Sequence, residues 1–325
     1  MPEHLPAPVH QPVVLGSWPT PLEPAPRLAQ ALGLGPEDLW VKRDDLIGLG
    51  GGGNKVRKLE HTLGAALAAG AAAVVTSGAP QSNHARLTAA AASRLGLQAV
   101  LVLEGDEPAE ARGNLLLDAL LGARIVWAGE VDPTTLAARV EREAESLREN
   151  GTPTEVIPFG GSSVVGARGY VAAGAELLTQ APDLTTVVTA IGSGGTMAGL
   201  VHALGVDRVL GVDTGAVQDA QARVSDLARG LAREAGTADP GRPRMRHDQV
   251  GEGYGVLTPA VAEAVALVAR TEGIVLDPVY TGRAAAGLVA AVRAGDVAAG
   301  ERTVLLHSGG LPGLFGHPQA PELVR

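Results

Sequence analysis

The chain contains no cysteine. Disulfides, thiolate nucleophiles and cysteine-ligated zinc are therefore excluded together. Aromatic residues make up only 2% of 325 residues, so any core must be largely aliphatic. No uncharged apolar run reaches the ~18–20 residues that a spanning helix needs. Positive charge is also in short supply. With 26 Lys+Arg against 35 Asp+Glu, the net charge is −9 and the pI ≈ 5.4. That balance argues against nucleic acid and anionic membranes as partners. The start, MPEHLPAPVHQPVVLG, has no basic stretch leading into an apolar core, so the expectation is a soluble, cytoplasmic protein without a leader. Lysine is the most informative scarcity. It occurs only at Lys42, Lys55 and Lys58, within WVKRDDLIGLGGGGNKVRKLE, while arginine supplies every other basic residue. Chemistry that needs an amine able to lose its proton cannot use arginine, which directs attention to this segment.

What is present is enough apolar residue, 46%, to build a sizeable core. The length allows two ordinary domains or one large α/β unit. Leu39–Lys42 reads as a short strand and Gly48–Gly53 as a loop. From Lys55 the period becomes helical, with Leu59, Leu63, Ala66 and Leu67 on one face and Gly70 as a stop. Strands at 73–76, 99–103, 125–127 and 155–158 then alternate with helices ending near Gly96, around 115–121 and over 134–149. A second series follows Gly160: helix 165–178, strand 186–190, a helix from Met197, strand 209–213, helix 259–270, strand 274–276, helix 283–292 and strand 304–307. Residues 236–248 read as a loop. Such alternation predicts α/β architecture, with two doubly wound, mostly parallel open sheets meeting near Gly160 and a ligand cleft between them.

Two glycine-rich stretches matter most. Gly192-Ser193-Gly194-Gly195-Thr196 lies between a β-rich run and a helix, where converging N–H groups suit an anion such as phosphate. Met197 replaces the third glycine of the dinucleotide pattern, although Asp213, about 20 residues on, keeps a dehydrogenase reading open. Gly48–Lys55 looks like a nucleotide P-loop but fails, because Asn54 precedes the lysine and Val56 stands where Ser or Thr would bind magnesium. What remains is a lysine at a helix start, where N–H dipoles favour the neutral amine. An amine and an anion cradle together are what pyridoxal 5'-phosphate requires. Ser82 and Asn83 alone would read as helix caps, and Tyr170, Tyr254 and Tyr280 as packing. The eight histidines show no metal spacing, so no metal is expected. Arg242, Arg244 and Arg246 read as surface charge.

With these residues in view, the sequence resembles the D-cysteine desulfhydrase and 1-aminocyclopropane-1-carboxylate (ACC) deaminase family of tryptophan-synthase-β-like, fold-type II pyridoxal-phosphate enzymes. The motifs that carry the likeness are KRDDLIGLGGGGNKVRKLE, SGAPQSNHAR, PFGGSSVVGARGYV, IGSGGTMAGL, GEGYG, EGIVLDPVYTGRAAAGL and the HSGG segment. The resemblance implies a larger cofactor-binding domain from residues 1–58 plus 164–325 and a smaller one from 59–163. It makes Lys55 the Schiff-base lysine, and Lys58 a phosphate contact with Gly192, Ser193, Gly194, Gly195 and Thr196. Asn83 is then the partner of the cofactor's ring hydroxyl, Tyr280 lies against the ring, and Ser308 sits beside the ring nitrogen. Gln81, Ser82, Asn83, Tyr254 and Thr281 are the expected substrate contacts, with Lys55, Ser82, Tyr254 and Tyr280 as the catalytic set. A homodimer acting on a small amino acid is implied as well.

Two departures from the family pattern are Arg283 for a usual lysine and Ser308 for a usual threonine. Within the family, ACC deaminases carry Glu after the tyrosine of DPVY and Leu in HLGG, whereas here Thr281 and Ser308 stand there. His84 agrees, since deaminases tend to have Gln. The expectation is therefore α,β-elimination of D-cysteine to pyruvate, ammonia and hydrogen sulfide. ACC deamination, L-cysteate sulfo-lyase activity, a nucleotide-binding dehydrogenase and a non-catalytic cofactor carrier are the alternatives.

Overall fold

The structure is a computed structural model describing residues 11–324; the first ten residues, on which the expectation of no leader largely rests, lie outside them. The chain opens with strand β1 (Leu22–Pro24), helix α1 (Pro26–Ala31) and strand β2 (Leu39–Arg43), then enters helix α2 (Lys55–Ala68). Strand and helix alternate from there: β3 (Ala73–Gly78), α3 (Asn83–Leu95), β4 (Gln98–Leu103), α4 (Asn114–Leu120), β5 (Arg124–Trp127), α5 (Pro133–Glu149) and β6 (Thr154–Val156). The second series runs α6 (Val164–Gln180), β7 (Leu184–Ile191), α7 (Gly195–Leu204), β8 (Val209–Asp213), α8 (Ala220–Ala235) and β9 (Arg244–Arg246). It ends with α9 (Pro259–Glu272), α10 (Thr281–Ala294), β10 (Arg302–His307) and α11 (Leu311–Gly316). The helix starts follow capping chemistry. Ser82, Asp132, Ser163, Asp219 and Thr258 each accept a backbone N–H of the first turn, meeting donors that the helix leaves unpaired.

The strands form two sheets. The larger has the order β1-β2-β10-β7-β8-β9, with only β1 antiparallel, and the smaller has the order β5-β4-β3-β6, parallel throughout. Both are covered on two faces, which is why their strands are apolar runs rather than alternating ones. On the larger sheet Val188 and Leu305 pack towards α1, α9 and α10, while Val187, Val304 and Leu306 pack towards α6, α7 and α8. On the smaller, Val74, Leu101 and Leu103 meet α2, α3 and α4, and Val75, Val100 and Val102 meet α5. The α/β, doubly wound expectation agrees with this architecture.

Three local expectations differ. Ile274–Leu276 pairs with no strand: Ile274 and Leu276 are buried in the core under α9, so the apolar run marks packing without a ladder. Helix α8 was not expected. Its Val224, Leu227, Ala228 and Leu231 form a stripe between Asp219 at the start and Gly236 (φ +66°) at the end. Residues 236–248 are a loop only in part, because Arg244–Arg246 adds a three-residue strand beside β8. Arg246 there pairs with Asp248 and Asp296.

Candidate active site

Parallel strands deliver their carboxyl ends to one edge, and ligands bind in the crevice beyond those ends. Here the two sheets share that crevice. Ala79–Asn83 follow β3, Glu104 follows β4, Gly192–Gly194 follow β7, Gly215 follows β8 and Ser308 follows β10. All of these but Pro80 and Gln81 line one of two adjoining cavities. The outer cavity has a volume of about 130 Å³ and is lined by Lys55, Ser82, Asn83, His84, Glu104, Phe159, Gly160, Tyr254 and Tyr280, among others. The inner one is lined by Lys58, Gly194, Thr196 and Ser308, and shares Lys55, Asn83, Gly192, Ser193 and Tyr280 with the first.

Lys55 is the first residue of α2, and its Nζ donates to Asn54 Oδ1 at 2.9 Å and sits 5.8 Å from the Tyr280 ring centre. Burial, assisted by the Arg86 charge, lowers its pKa from 10.5 to about 8. At pH 7 roughly a tenth of such an amine is neutral, against ~0.03% for an ordinary lysine. One turn on, Lys58 is only 1% exposed, and its Nζ donates to Gly160 O at 3.2 Å and Ser162 Oγ at 3.0 Å. Burial pushes its pKa well below the usual range, and the nearby cations Lys55 and Arg223 add to that effect.

The glycine loop packs against this pair. Gly194 caps α7 with φ +89°, a backbone that side chains resist. A Cβ on Gly195 would come 2.6 Å from Ser162 Oγ and 3.3 Å from Lys58 Nζ, and one on Gly192 3.0 Å from Tyr280 Cε1. Ser162 Oγ ties the loop together, contacting Ser193 Oγ at 2.7 Å and accepting the Gly195 N–H at 3.1 Å. Asn54 Nδ2 donates to Thr196 Oγ1 at 2.9 Å. Buried cations and a helix N-terminus thus converge where no lining residue of the inner cavity is acidic. Burying positive charge without a partner is costly, so the arrangement suits an anion.

On the opposite wall Ser82 caps α3, with its Oγ accepting the Ala85 N–H at 3.1 Å. Asn83 Oδ1 accepts from Asn114 Nδ2 at 3.1 Å, which leaves the amide nitrogen for a ligand. Tyr254 and Tyr280 place their hydroxyls 2.6 Å apart. Burial raises both phenols' pKa, so both stay protonated at neutral pH. Arg283 fits a role unlike a lysine's. It is fully buried, and its guanidinium donates to Thr214 O, Gly253 O (2.7 Å) and Val256 O (2.9 Å), bracing the loop that carries Tyr254. That rigid fork has no ammonium equivalent.

Three expected contacts stand back from the cavities. Gln81 spends its amide on Asn114 N and Arg112 O, anchoring the start of α4. Thr281, 1% exposed, donates to Asp277 Oδ1 at 2.6 Å and accepts the Asp277 N–H at 2.8 Å, so its hydroxyl closes a turn. Gly195 faces Ser162. Asp213 is occupied by the Gly215 N–H and His247, away from any ribose-binding position. Arg242, Arg244 and Arg246 lie outside the cleft's lining. Conversely, Glu104, His84 and Ser162 belong to the site without having been assigned to it. Ser162 and His84 had a signal, in the PFGGSS and SGAPQSNHAR segments, and Glu104 had none.

Comparison with known proteins agrees with this geometry. The profile of the pyridoxal-phosphate dependent enzyme family matches residues 13–309. A Pyrococcus horikoshii protein named "Putative 1-aminocyclopropane-1-carboxylate deaminase" is 41% identical over 309 residues, covering 93% of this chain and 93% of that protein. A Pyrococcus abyssi protein of the same name is 42% identical over 313 residues, covering 93% and 92%. Among solved structures, one described as an ACC deaminase homologue superposes with a TM-score of 0.89 at 39% identity, covering 97% of this chain and 95% of that one.

Proposed function

This chain belongs to the pyridoxal-phosphate dependent enzyme family, with pyridoxal 5'-phosphate as its cofactor, and from that premise we propose that it releases ammonia and a 2-keto acid from a small amino acid. The observation that carries the reading is a half-buried Lys55 and a buried Lys58 beside a carboxylate-free glycine cradle. Those residues fit the cofactor. Lys58, Gly192–Gly194 and Thr196 would hold the phosphate, Lys55 the aldehyde carbon, Asn83 the ring hydroxyl, and Ser308 would stand by the ring nitrogen. When bound, the cofactor withdraws electron density from the substrate's Cα and so weakens the bonds there. Lys55 Nζ, with a pKa near 8, can take a proton and return it close to neutral pH. The Tyr254–Tyr280 hydroxyl pair can pass a proton across 2.6 Å on the face towards solvent. Ser82 Oγ and the first N–H groups of α3 offer donors to a carboxylate.

Two substrates fit that chemistry. ACC, the substrate in the relatives' names, would give 2-oxobutyrate and ammonia with uptake of one water. D-cysteine would give pyruvate, ammonia and hydrogen sulfide, also with one water. The comparisons support ACC at least as well as D-cysteine, which the sequence pattern placed first. The observation that favours D-cysteine is the neutral Ser308 in the inner cavity, with Thr281 turned inward onto Asp277. A neutral ring-nitrogen partner makes a weaker electron sink, sufficient for an acidic Cα–H and a good leaving group. Keto-acid release from D-cysteine, L-cysteine, ACC, β-chloro-D-alanine and L-cysteate tests the proposal. 2-Oxobutyrate from ACC supports the first reading, pyruvate with sulfide from D-cysteine the second, and no keto acid from any of them overturns both.

The two sheets also lend themselves to division into domains at residues 58/59 and 163/164. A cytoplasmic homodimer is the expected working form, supported by exposed Leu116 and Leu120 on α4 and Phe315 on α11. No helix of the described residues is long and apolar enough to cross a membrane.

A further inference from the structure

Glu104 is the one carboxylate among the residues lining either cavity. It lies just past the end of β4, where its backbone N–H donates to Gly78 O at 3.0 Å, and it lines the outer cavity only. It lines that cavity together with Lys55, Ala79, Ser82 and Tyr254, so a molecule bound against Lys55 shares the space with its carboxylate. Burial and the neighbouring Glu130 both raise its pKa, with no cation acting against them. Its charge also reaches Tyr254, whose pKa it helps to raise behind the larger effect of burial. The carboxylate is half-buried with no cation among the causes of its shift, so its charge acts on what enters the cavity.

We infer that Glu104 sorts substrates by side-chain charge, admitting small amino acids with neutral β-substituents and repelling those with a β-sulfonate or β-carboxylate. The inference rests on the amino-acid reading of the cleft. It adds that L-cysteate, though chemically suited to elimination, is a poor ligand. Two like charges in a partly desolvated cleft repel strongly enough to discriminate at least tenfold, about 1.4 kcal/mol.

Aspartate and asparagine differ in charge at nearly constant shape, which makes them the probe. Each enantiomer of both is titrated into the holoenzyme, and binding is read from the change in cofactor absorbance, independently of turnover. The native protein should bind asparagine at least tenfold more tightly than aspartate. Glu104→Gln should cut that preference at least tenfold, and Glu104→Asp should retain most of it. An unchanged preference in a folded Glu104→Gln protein, or none in the native one, overturns the charge filter while leaving the amino-acid reading in place. Absence of any spectral change with all four ligands, in native and variant protein alike, defeats the amino-acid reading and the filter with it.

Discussion

Replacing Lys55 with methionine in the cofactor-free protein should stabilise it, and by an amount that depends on pH. The native fold holds the Lys55 amine at a pKa of about 8, against 10.5 in the ordinary state. Because the folded pKa of this base is depressed, the unfolded chain binds more protons between pH 8 and 10.5, and stability rises with pH across that window. Well below pH 8 the full cost is present, at most about 3.4 kcal/mol; it falls to about 0.8 kcal/mol at pH 10 and to about 0.4 kcal/mol at pH 10.5. Lys55→Met removes this cost. Its stability advantage over the native sequence should therefore shrink by roughly 2.5 kcal/mol between pH 7 and pH 10. Any difference in packing between the two side chains is independent of pH and cancels. The Lys55 charge also depresses the pKa of Lys58, so its removal relieves Lys58 in the same direction. Urea unfolding of both cofactor-free proteins at pH 7, 8, 9 and 10 gives the comparison. A stability difference that stays flat with pH would refute a desolvated, easily deprotonated Lys55.

Other perturbations follow from the same geometry. Ser82→Ala should cost on the order of 1 kcal/mol of stability through loss of the α3 cap, while turnover falls much further; equal turnover by variant and native protein would reduce Ser82 to a cap. Tyr280→Phe breaks the 2.6 Å contact with Tyr254, so turnover should fall tenfold or more with cofactor affinity nearly intact, as absorbance titration would show; normal turnover would remove the tyrosine pair from proton transfer. Gly194→Ala forces a side chain onto φ +89° and to 3.1 Å from Arg223 Cγ, at a cost of roughly 1–2 kcal/mol. Cofactor binding should then weaken about tenfold, and an unchanged Kd would separate this loop from the phosphate. Thr281→Glu places a second carboxylate against Asp277 in a buried turn, so unfolding should become easier by roughly 3 kcal/mol; a native-like Tm would show that position 281 opens to the cleft instead.

Much of this was legible in the sequence because period and chemistry coincide. The helix beginning at Lys55 showed itself through Leu59, Leu63 and Ala66, all buried as expected. The loop from Gly192 to Thr196 showed itself through glycines, which the close packing of Gly192 and Gly195 and the positive φ of Gly194 require. What stayed hidden has physical reasons. Ile274–Leu276 has the apolarity of a strand, but pairing depends on neighbours distant in sequence. Gln81 and Thr281 stand in the right motifs, yet the side-chain direction of Gln81 is decided by Asn114, 33 residues away, and that of Thr281 by a turn closed onto Asp277 that the motif does not announce. Glu104 follows an unremarkable apolar strand, and only the meeting of two sheets brings it into one cavity with Tyr254. Arg283 looked like a mild exchange for lysine until its three carbonyl partners came together from two separate loops.

Whether Lys55 carries the cofactor can be read from the site of a trapped pyridoxyl group. The protein is saturated with pyridoxal 5'-phosphate, reduced with borohydride, digested and mapped by mass spectrometry. With lysine present only at positions 42, 55 and 58, the three possible sites are resolved without ambiguity. The pyridoxyl group should appear on Lys55 alone, with loss of the visible absorbance on reduction. Its appearance on Lys42 or Lys58, or on no lysine of a saturated protein, would contradict the account.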